Sequence, residues 1–357
     1  MPLKILIHEY ITGGGWKEAE MPPGLASEGF LMLSALLEDF MKWGKLTVCT
    51  TLDKRVAGTS IKADNITVIY PDEYEETLSR LARECDYAIV IAPESNGILA
   101  DLHMLMRDNN AIYLGCDIGA IHITGDKWEC YKILSKAGLP LPATNIVEKG
   151  SCPAIAIRKR PIKPLSANRL DIETGRPINF PLILKPVDGV GCEGVNLIKD
   201  ETTLKDILEH DPAYGNRALL QEYIKGEHLS VSIISAGNKF IILSLNRQHI
   251  SEGMPFKYSG GEIMQPPDKE DELHHIVRKI IEIIPGLKGY FGVDLIRSND
   301  GYKIIEINPR LTTSYTGLRK VINFNLAEAI HDSVVNNRLP EKVKILGNYT
   351  FSKKMPA

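Results

Sequence analysis

Between Lys4 and Asp117, strand-like and helix-like runs alternate without a break: KILIHEY, SEGFLMLSALLEDFMKW, LTVCTT, NITVIYP, EYEETLSRLARECD, YAIVIAP, ILADLHMLMRD and AIYLGCD. Short β-branched runs separated by amphipathic ones imply an open, mostly parallel α/β sheet with helices on its faces. Ligands of such sheets sit beyond the carboxyl ends of the strands. Here those ends lead into EYITGGGW and APESNG. Gly13 to Gly15 suit an anion cradle and a tight turn equally well.

From Thr124 the pattern changes. TGDKWECYKILSKAGLPLP reads as a helix with Thr124 as N-cap and Gly138 as its stop. Lys127 then lies in the first turn, where a cation opposes the helix dipole. A negative group is expected beside it, and neighbouring Asp126 is the local candidate. Residues 150–180, with Pro153, Pro161, Pro164, Gly175 and Pro177, read as a long irregular insertion.

KPVDGVGCEGVNLI carries Gly189, Gly191 and Gly194 at the G-x-G-x-x-G spacing. A dinucleotide fold needs a helix after those glycines. The next residues, VNLIK, read as a strand, so the loop joins two strands. A glycine-rich hairpin can fold over phosphates through its backbone N–H groups, which points to ATP rather than NAD. Lys185 lies inside the preceding apolar strand PLILKPV, where a lysine needs an anionic partner unless it snorkels out at the strand end.

GVDLIRSNDGYKIIEINPR is the most informative stretch. Asn299-Asp300-Gly301 suits a three-residue hairpin loop with Gly301 in the left-handed region. If Ser298 faces Tyr302, Asp294 stands opposite Glu306, and Asn308 shares their face. Facing carboxylates are destabilising unless a cation lies between them. Two carboxylates and an amide oxygen form an all-oxygen set suited to Mg²⁺ or Mn²⁺. A solvated hairpin face is disfavoured, because GYFGVDLI and KIIEI are too apolar for an exposed ribbon. Arg247, in SLNRQHI, is either a second cation for a transferred phosphoryl group or a surface strand arginine.

Bulk properties exclude several classes. The formal charge of −3, without a basic block, gives no footprint for nucleic acid, and the densest basic stretch, Arg158 to Lys163, reads as a solvated loop. No apolar run approaches the ~18 residues that span a membrane. The start, MPLKILIHEY, meets an acid at Glu9 and has no cleavage-site pattern, so no signal peptide is expected. The six cysteines are scattered singly, which suits a reducing cytoplasm and argues against zinc and disulfide frameworks.

Taken in order, Lys127, Lys185, the glycine hairpin, QEYIKGE and the acid–acid–amide hairpin resemble the ATP-grasp superfamily over nearly the whole chain. The resemblance implies an α/β and α+β molecule: an N-terminal Rossmann-like parallel-sheet domain (1–122), a central ATP-grasp subdomain with the glycine-rich hairpin (123–225) and a C-terminal subdomain with the metal site (226–357). It implies that Lys127 and Lys185 contact phosphates or the adenine edge and that Gly189, Gly191 and Gly194 close over the phosphates. Gln221, Glu222, Tyr223 and Ile224 would line the adenine pocket, and Glu227 would hold ribose hydroxyls. Asp294, Glu306 and Asn308 would bind two Mg²⁺ or Mn²⁺ ions, and Arg310 would face the transferred phosphoryl group, with Lys185 and Arg247 completing the catalytic set.

IHEYITGGG, IAPESNGIL and EINPRLTTSYTGLR are similar to the tyramine-glutamate ligase family of methanofuran-type cofactor biosynthesis. That similarity implies ATP-dependent γ-glutamylation of tyramine, with Thr312, Thr313, Ser314, Tyr315 and Thr316 positioning the amino acid or capping the next helix. It implies a cytoplasmic enzyme, a homodimer by family habit, with small-molecule partners only. The alternatives are another ATP-grasp amino-acid ligase with a different acceptor, an ATP-grasp phosphotransferase or carboxylating enzyme, and a nucleotide-binding module without chemistry. The intact set of Lys185, Asp294, Glu306, Asn308 and Arg310 argues against the last.

Overall fold

The computed structural model describes residues 2–148, 169–170, 177–189, 191–214, 217–268 and 271–353. The basic stretch at 158–163 and most of the insertion read over 150–180 lie outside the described residues.

The N-terminal sheet contains β1 (Lys4–Glu9), β2 (Thr47–Asp53), β3 (Asn65–Ile69), β4 (Tyr87–Ile91) and β5 (Ile112–Tyr113), all parallel in the order β3-β2-β1-β4-β5. Helices α1 (Pro23–Trp43), α2 (Tyr74–Glu84) and α3 (Ile98–Asp108) connect them. Helix α1 has Pro23 in its first turn and stops at Gly44 in the left-handed region. The turn after β1 settles the reading of its glycines. A side chain at Gly13 would stand 2.8 Å from His8 and from Thr51, so this glycine allows close packing rather than an open anion cradle. The buried His8 ring hydrogen-bonds Thr51 Oγ1 (2.7 Å) and Tyr74 OH (2.9 Å), and burial pulls its pKa down to about 3.

Helices α4 (Ile118–Gly125) and α5 (Lys127–Lys136) come after β5. The N-cap of α5 is Asp126, not Thr124: the Asp126 carboxylate accepts N–H bonds from Trp128 and Glu129, whereas the Thr124 hydroxyl donates to the Ala120 carbonyl at the end of α4. The helix ends as expected, with Gly138 at φ +72°. A four-stranded antiparallel sheet comes next: β6 (Thr144–Glu148), then, after the short pair β7 (Arg169–Leu170) and β8 (Pro177–Ile178), β9 (Leu182–Pro186), β10 (Asn196–Ile198) and β11 (Arg217–Glu222). Its order is β10-β9-β11-β6, with α6 (Glu201–His210) beside it.

The third layer is a six-stranded sheet of β12 (Glu227–Ala236), β13 (Lys239–Ser251), β14 (Lys257–Met264), β15 (Gly289–Ser298), β16 (Gly301–Asn308) and β17 (Tyr349–Ser352), ordered β16-β15-β12-β13-β14-β17. Helix α7 (Glu272–Ile283) puts Leu273, Ile276, Val277, Ile280 and Ile281 into the core at helical spacing. Helices α8 (Tyr315–Val321) and α9 (Leu326–Val335) lie against α1. There the Tyr315 hydroxyl donates to Asp39 Oδ2 (2.7 Å) and Arg319 Nε to Asp39 Oδ1 (2.9 Å), which joins α1 to α8. No helix among the described residues is long and apolar enough to cross a membrane.

Candidate active site

A cleft of about 1300 Å³, counting its open mouth, runs between the four-stranded and six-stranded sheets. Its centre is the β15–β16 hairpin. Asp294 pairs with Glu306 and Gly292 with Asn308, the pairing that the sequence predicts. The route to it differs from the expected one. Ser298 faces Gly301 rather than Tyr302, which tightens the turn by one residue, and a bulge between Asp294 and Leu295 restores the register. The skipped residue, Ile305, turns its carbonyl towards Lys185 Nζ at 3.5 Å.

The carboxylates are held from several sides. Asn308 Nδ2 donates to Asp294 Oδ2 (3.1 Å) and Gln248 Nε2 to Asp294 Oδ1 (3.0 Å). Burial, and then the Glu306 charge opposite, push the Asp294 carboxyl up to about 7. Lys127 Nζ lies 2.9 Å from Glu306 Oε1 and also donates to the Gly189 carbonyl, so the negative group expected beside Lys127 is Glu306, while Asp126 caps the helix. Lys185 projects from β9 with its ammonium between Gln221 Oε1 (3.2 Å) and the Ile305 carbonyl, and burial pulls its pKa down to about 8.

The glycine-rich loop joins β9 to antiparallel β10, as the sequence predicts. Gly189 and Gly191 border the cleft. Gly194 does not border it: it sits at the base of the hairpin at φ +67°, where a side chain would stand 2.8 Å from the Pro186 ring. The APESNG loop of the N-terminal sheet clamps this hairpin, with the Ser95 hydroxyl donating to the Asp188 carbonyl and the Asn96 N–H to the Asp188 carboxylate (3.2 Å). The same loop supplies Glu94, which pairs with Arg310 through Nε–Oε1 (3.0 Å) and Nη2–Oε2 (3.1 Å). Burial works against the Arg310 charge, and the carboxylates of Glu94, Glu28 and Glu306 together more than offset it.

Gln221, Glu222, Tyr223 and Ile224 line the cleft where β11 ends. Thr312, Thr313 and Ser314 line it opposite, with Thr312 and Ser314 linked through the Tyr290 hydroxyl, whereas the Tyr315 hydroxyl donates to Asp39 and the Thr316 hydroxyl to the Thr313 carbonyl. No grouping of three or more His, Cys, Asp or Glu side chains that could hold a metal occurs among the described residues. The oxygen set at the centre is therefore two acids and one amide. Cys49, Cys85, Cys116, Cys130 and Cys192 are free thiols.

Besides Gly194, two residues of the expected set are not brought to the cleft. Arg247 pairs with Glu227 (2.6 Å) and Glu262 (3.0 Å) on the outer face, and Glu227 is held there by Arg247 and Arg297. The cause is strand parity: Gln248 and His228, each one residue further along, face inwards and line the cleft. Gln248, Glu94 and Glu28 escaped the sequence reading. Counting parity back from a buried core position would have found Gln248; the acids carry no local motif.

Residues 124–314 match an ATP-grasp domain, and residues 46–121 match a pre ATP-grasp domain. The chain is 31% identical over 348 residues to the tyramine–L-glutamate ligase of Methanocaldococcus jannaschii, covering 95% of this chain and 92% of the relative. It is 30% identical over 345 residues to the enzyme of that name from Methanocaldococcus fervens, covering 95% and 97%. An ATP-grasp superfamily protein of known structure from Archaeoglobus fulgidus superposes with a TM-score of 0.67 at 22% identity, covering 99% of this chain and all of that one. Sheet order, cleft and sequence agree, and the chain belongs to the ATP-grasp family.

Proposed function

We propose that this protein is an ATP-dependent carboxylate–amine ligase that joins the γ-carboxylate of L-glutamate to tyramine, releasing ADP and phosphate, in the assembly of a methanofuran-type cofactor. The near-full-length likeness to two tyramine–L-glutamate ligases supports the substrates. The observation that carries the chemistry is the pairing of Asp294 with Glu306 beside Lys127, Lys185 and Arg310 in one cleft.

A carboxylate is a poor acyl donor, and phosphorylation supplies a leaving group. Charge grows on the phosphoryl oxygens during that transfer, and pre-positioned cations stabilise it. Lys127, Lys185 and Arg310 are the cations of this cleft, and Gly189 and Gly191 present the hairpin to the phosphates. Gln221 to Ile224 line the purine side. Asp294, Glu306 and the Asn308 amide oxygen would hold two Mg²⁺ or Mn²⁺ ions, and an Asp294 carboxyl pushed up to about 7 by burial and by the Glu306 charge opposite fits a cation. Ions held there would neutralise charge on the phosphates. Residues 1–122, 123–225 and 226–357 form the three structural units of the enzyme, which we place in the cytoplasm as a homodimer.

The test is ADP release by the purified protein with ATP, Mg²⁺ or Mn²⁺ and L-glutamate, with and without tyramine, the product being identified by mass spectrometry. A tyramine-dependent γ-glutamyl amide is expected. Phosphate release indifferent to amine would overturn the ligase reading in favour of a phosphotransferase.

A further inference from the structure

A second cavity, of about 480 Å³ counting its open mouth, opens off the cleft. It lies beyond Glu9 and Ile91, the last residues of β1 and β4. Strand order reverses here: β2 and β3 extend the sheet on one side of β1, β4 and β5 on the other. The crevice outside such a switch point is where open α/β sheets bind ligands. The walls are apolar, made by Ile11, Leu25, Met32, Ile91, Ala92 and Pro93. Glu28, Gly191 and Arg310 border both this cavity and the main cleft.

Leu25, Glu28, Gly29 and Met32 stand at helical spacing on the α1 face that turns to the cavity. One Glu28 oxygen accepts the Thr313 hydroxyl. The other, Oε2, is buried and has no hydrogen-bond partner among the described residues, a costly state for a carboxylate until a donor arrives. The other acid, Glu9, is already engaged: Oε1 accepts the Ile11 N–H (3.0 Å) and Oε2 the Thr12 N–H (2.6 Å). Arg310, at the junction, pairs with Glu94 and is assigned above to the phosphoryl group.

We infer that this cavity holds the attacking amine and that Glu28 receives its ammonium and then one of its protons. The ligand class is a primary amine on an apolar body of arylalkyl type, without a carboxylate of its own. The inference rests on the ligase reading above and deepens it. An amino acid would bring its carboxylate against Glu9 and Glu28 with no free cation among the described residues of the cavity to meet it. In the reaction Glu28 takes one ammonium proton, and the freed lone pair forms the C–N bond to the acyl carbon. The carbon–oxygen bond to phosphate breaks with its electron pair going to phosphate, which also takes the second nitrogen proton.

Calorimetric titration of tyramine and L-tyrosine, with ADP and Mg²⁺ present, reads binding rather than turnover. Tyramine is expected to bind at least about tenfold more tightly than L-tyrosine, and Glu28→Gln to weaken tyramine by at least about tenfold. Leu25→Trp, which fills the cavity from a half-buried position, is expected to abolish binding of tyramine. In turnover, Glu28→Gln amide formation should climb with pH as solvent supplies the free amine, and Glu28→Asp should recover part of the neutral-pH rate. Absence of tyramine binding, equal binding in Glu28→Gln, or equal binding of the two ligands overturns the assignment. An amide product that carries another acyl group, with Glu28 dependence intact, would instead sink the glutamate reading and leave the amine site standing.

Discussion

Lys127 Nζ lies 2.9 Å from Glu306 Oε1, and Glu306 in turn faces Asp294 across the hairpin. One cation from the first turn of α5 is thus bound to the acid pair of β15 and β16. Without a bound cation, this contact limits the mutual repulsion of the two carboxylates. On the reading proposed above, a metal ion there would free Lys127 for the phosphates.

Glu306→Ala is expected to retain the fold and lose turnover. The substitution removes an ion pair but also relieves Asp294 of the opposing charge, so Tm should move by no more than about 3 °C. Loss of a group that organises charge in the transition state should lower kcat by on the order of 10³-fold. Thermal unfolding beside a steady-state assay checks both; turnover near wild type would mean that the acid pair is not the metal site.

The Lys185 cation is structurally expensive. Its pKa falls to about 8 against an ordinary value of 10.5, so the folded protein releases a proton that the unfolded chain keeps. The cost of the buried charge is in full force below pH 8 and is relieved as pH rises from 8 towards 10.5. Lys185→Met should therefore be more stable than wild type at neutral pH, by at most on the order of 3 kcal/mol, and should lose most of its activity. Urea unfolding across pH 7 to 10.5 should show the gap narrowing over the upper part of the range; a constant gap would mean that the ammonium is not penalised by burial.

How much of this was legible in the sequence depends on the range of the interactions. Alternating strand and helix runs specify the parallel sheet locally, and the facing of Asp294 and Glu306 comes from parity along a hairpin. The turn itself does not: a tighter loop and a bulge at Ile305 compensate, because burying the two flanking apolar faces fixes the register more strongly than the turn does. The cap of α5 shifted from Thr124 to Asp126 because α4 absorbs the threonine. Glu94 and Glu28 were invisible for a different reason. Their partners, Arg310 and Thr313, are more than 200 positions away, and nothing local marks the pairing.

The Glu94–Arg310 pair ties the N-terminal sheet to the catalytic cleft with both side chains nearly buried. Glu94→Ala would strand a buried guanidinium and should cost about 3–5 kcal/mol. Arg310→Met alone should cost less, and the double variant should recover much of the loss, giving a coupling energy above about 1 kcal/mol in a double-mutant cycle. Additive losses would mean that the pair carries no mutual stabilisation.

Arg247 and Gln248 separate the outer and inner faces of β13. Arg247 is 45% exposed and pairs with Glu227 and Glu262, contacts worth less than about 1 kcal/mol in total at a solvated surface. Gln248, its neighbour, donates to Asp294 inside the cleft. Arg247→Ala should leave kcat within about twofold of wild type, since no part of the cleft loses a donor. Gln248→Ala removes a donor to an acid that burial pushes up to about 7, and should lower kcat/KM by on the order of tenfold while moving Tm little. If the two variants behaved the other way round, β13 would have to present its opposite face to the substrates. The hairpin register that aligns Asp294 with Glu306 would then need shifting by one residue as well, because β12 and β15 read their parity from the same ladder.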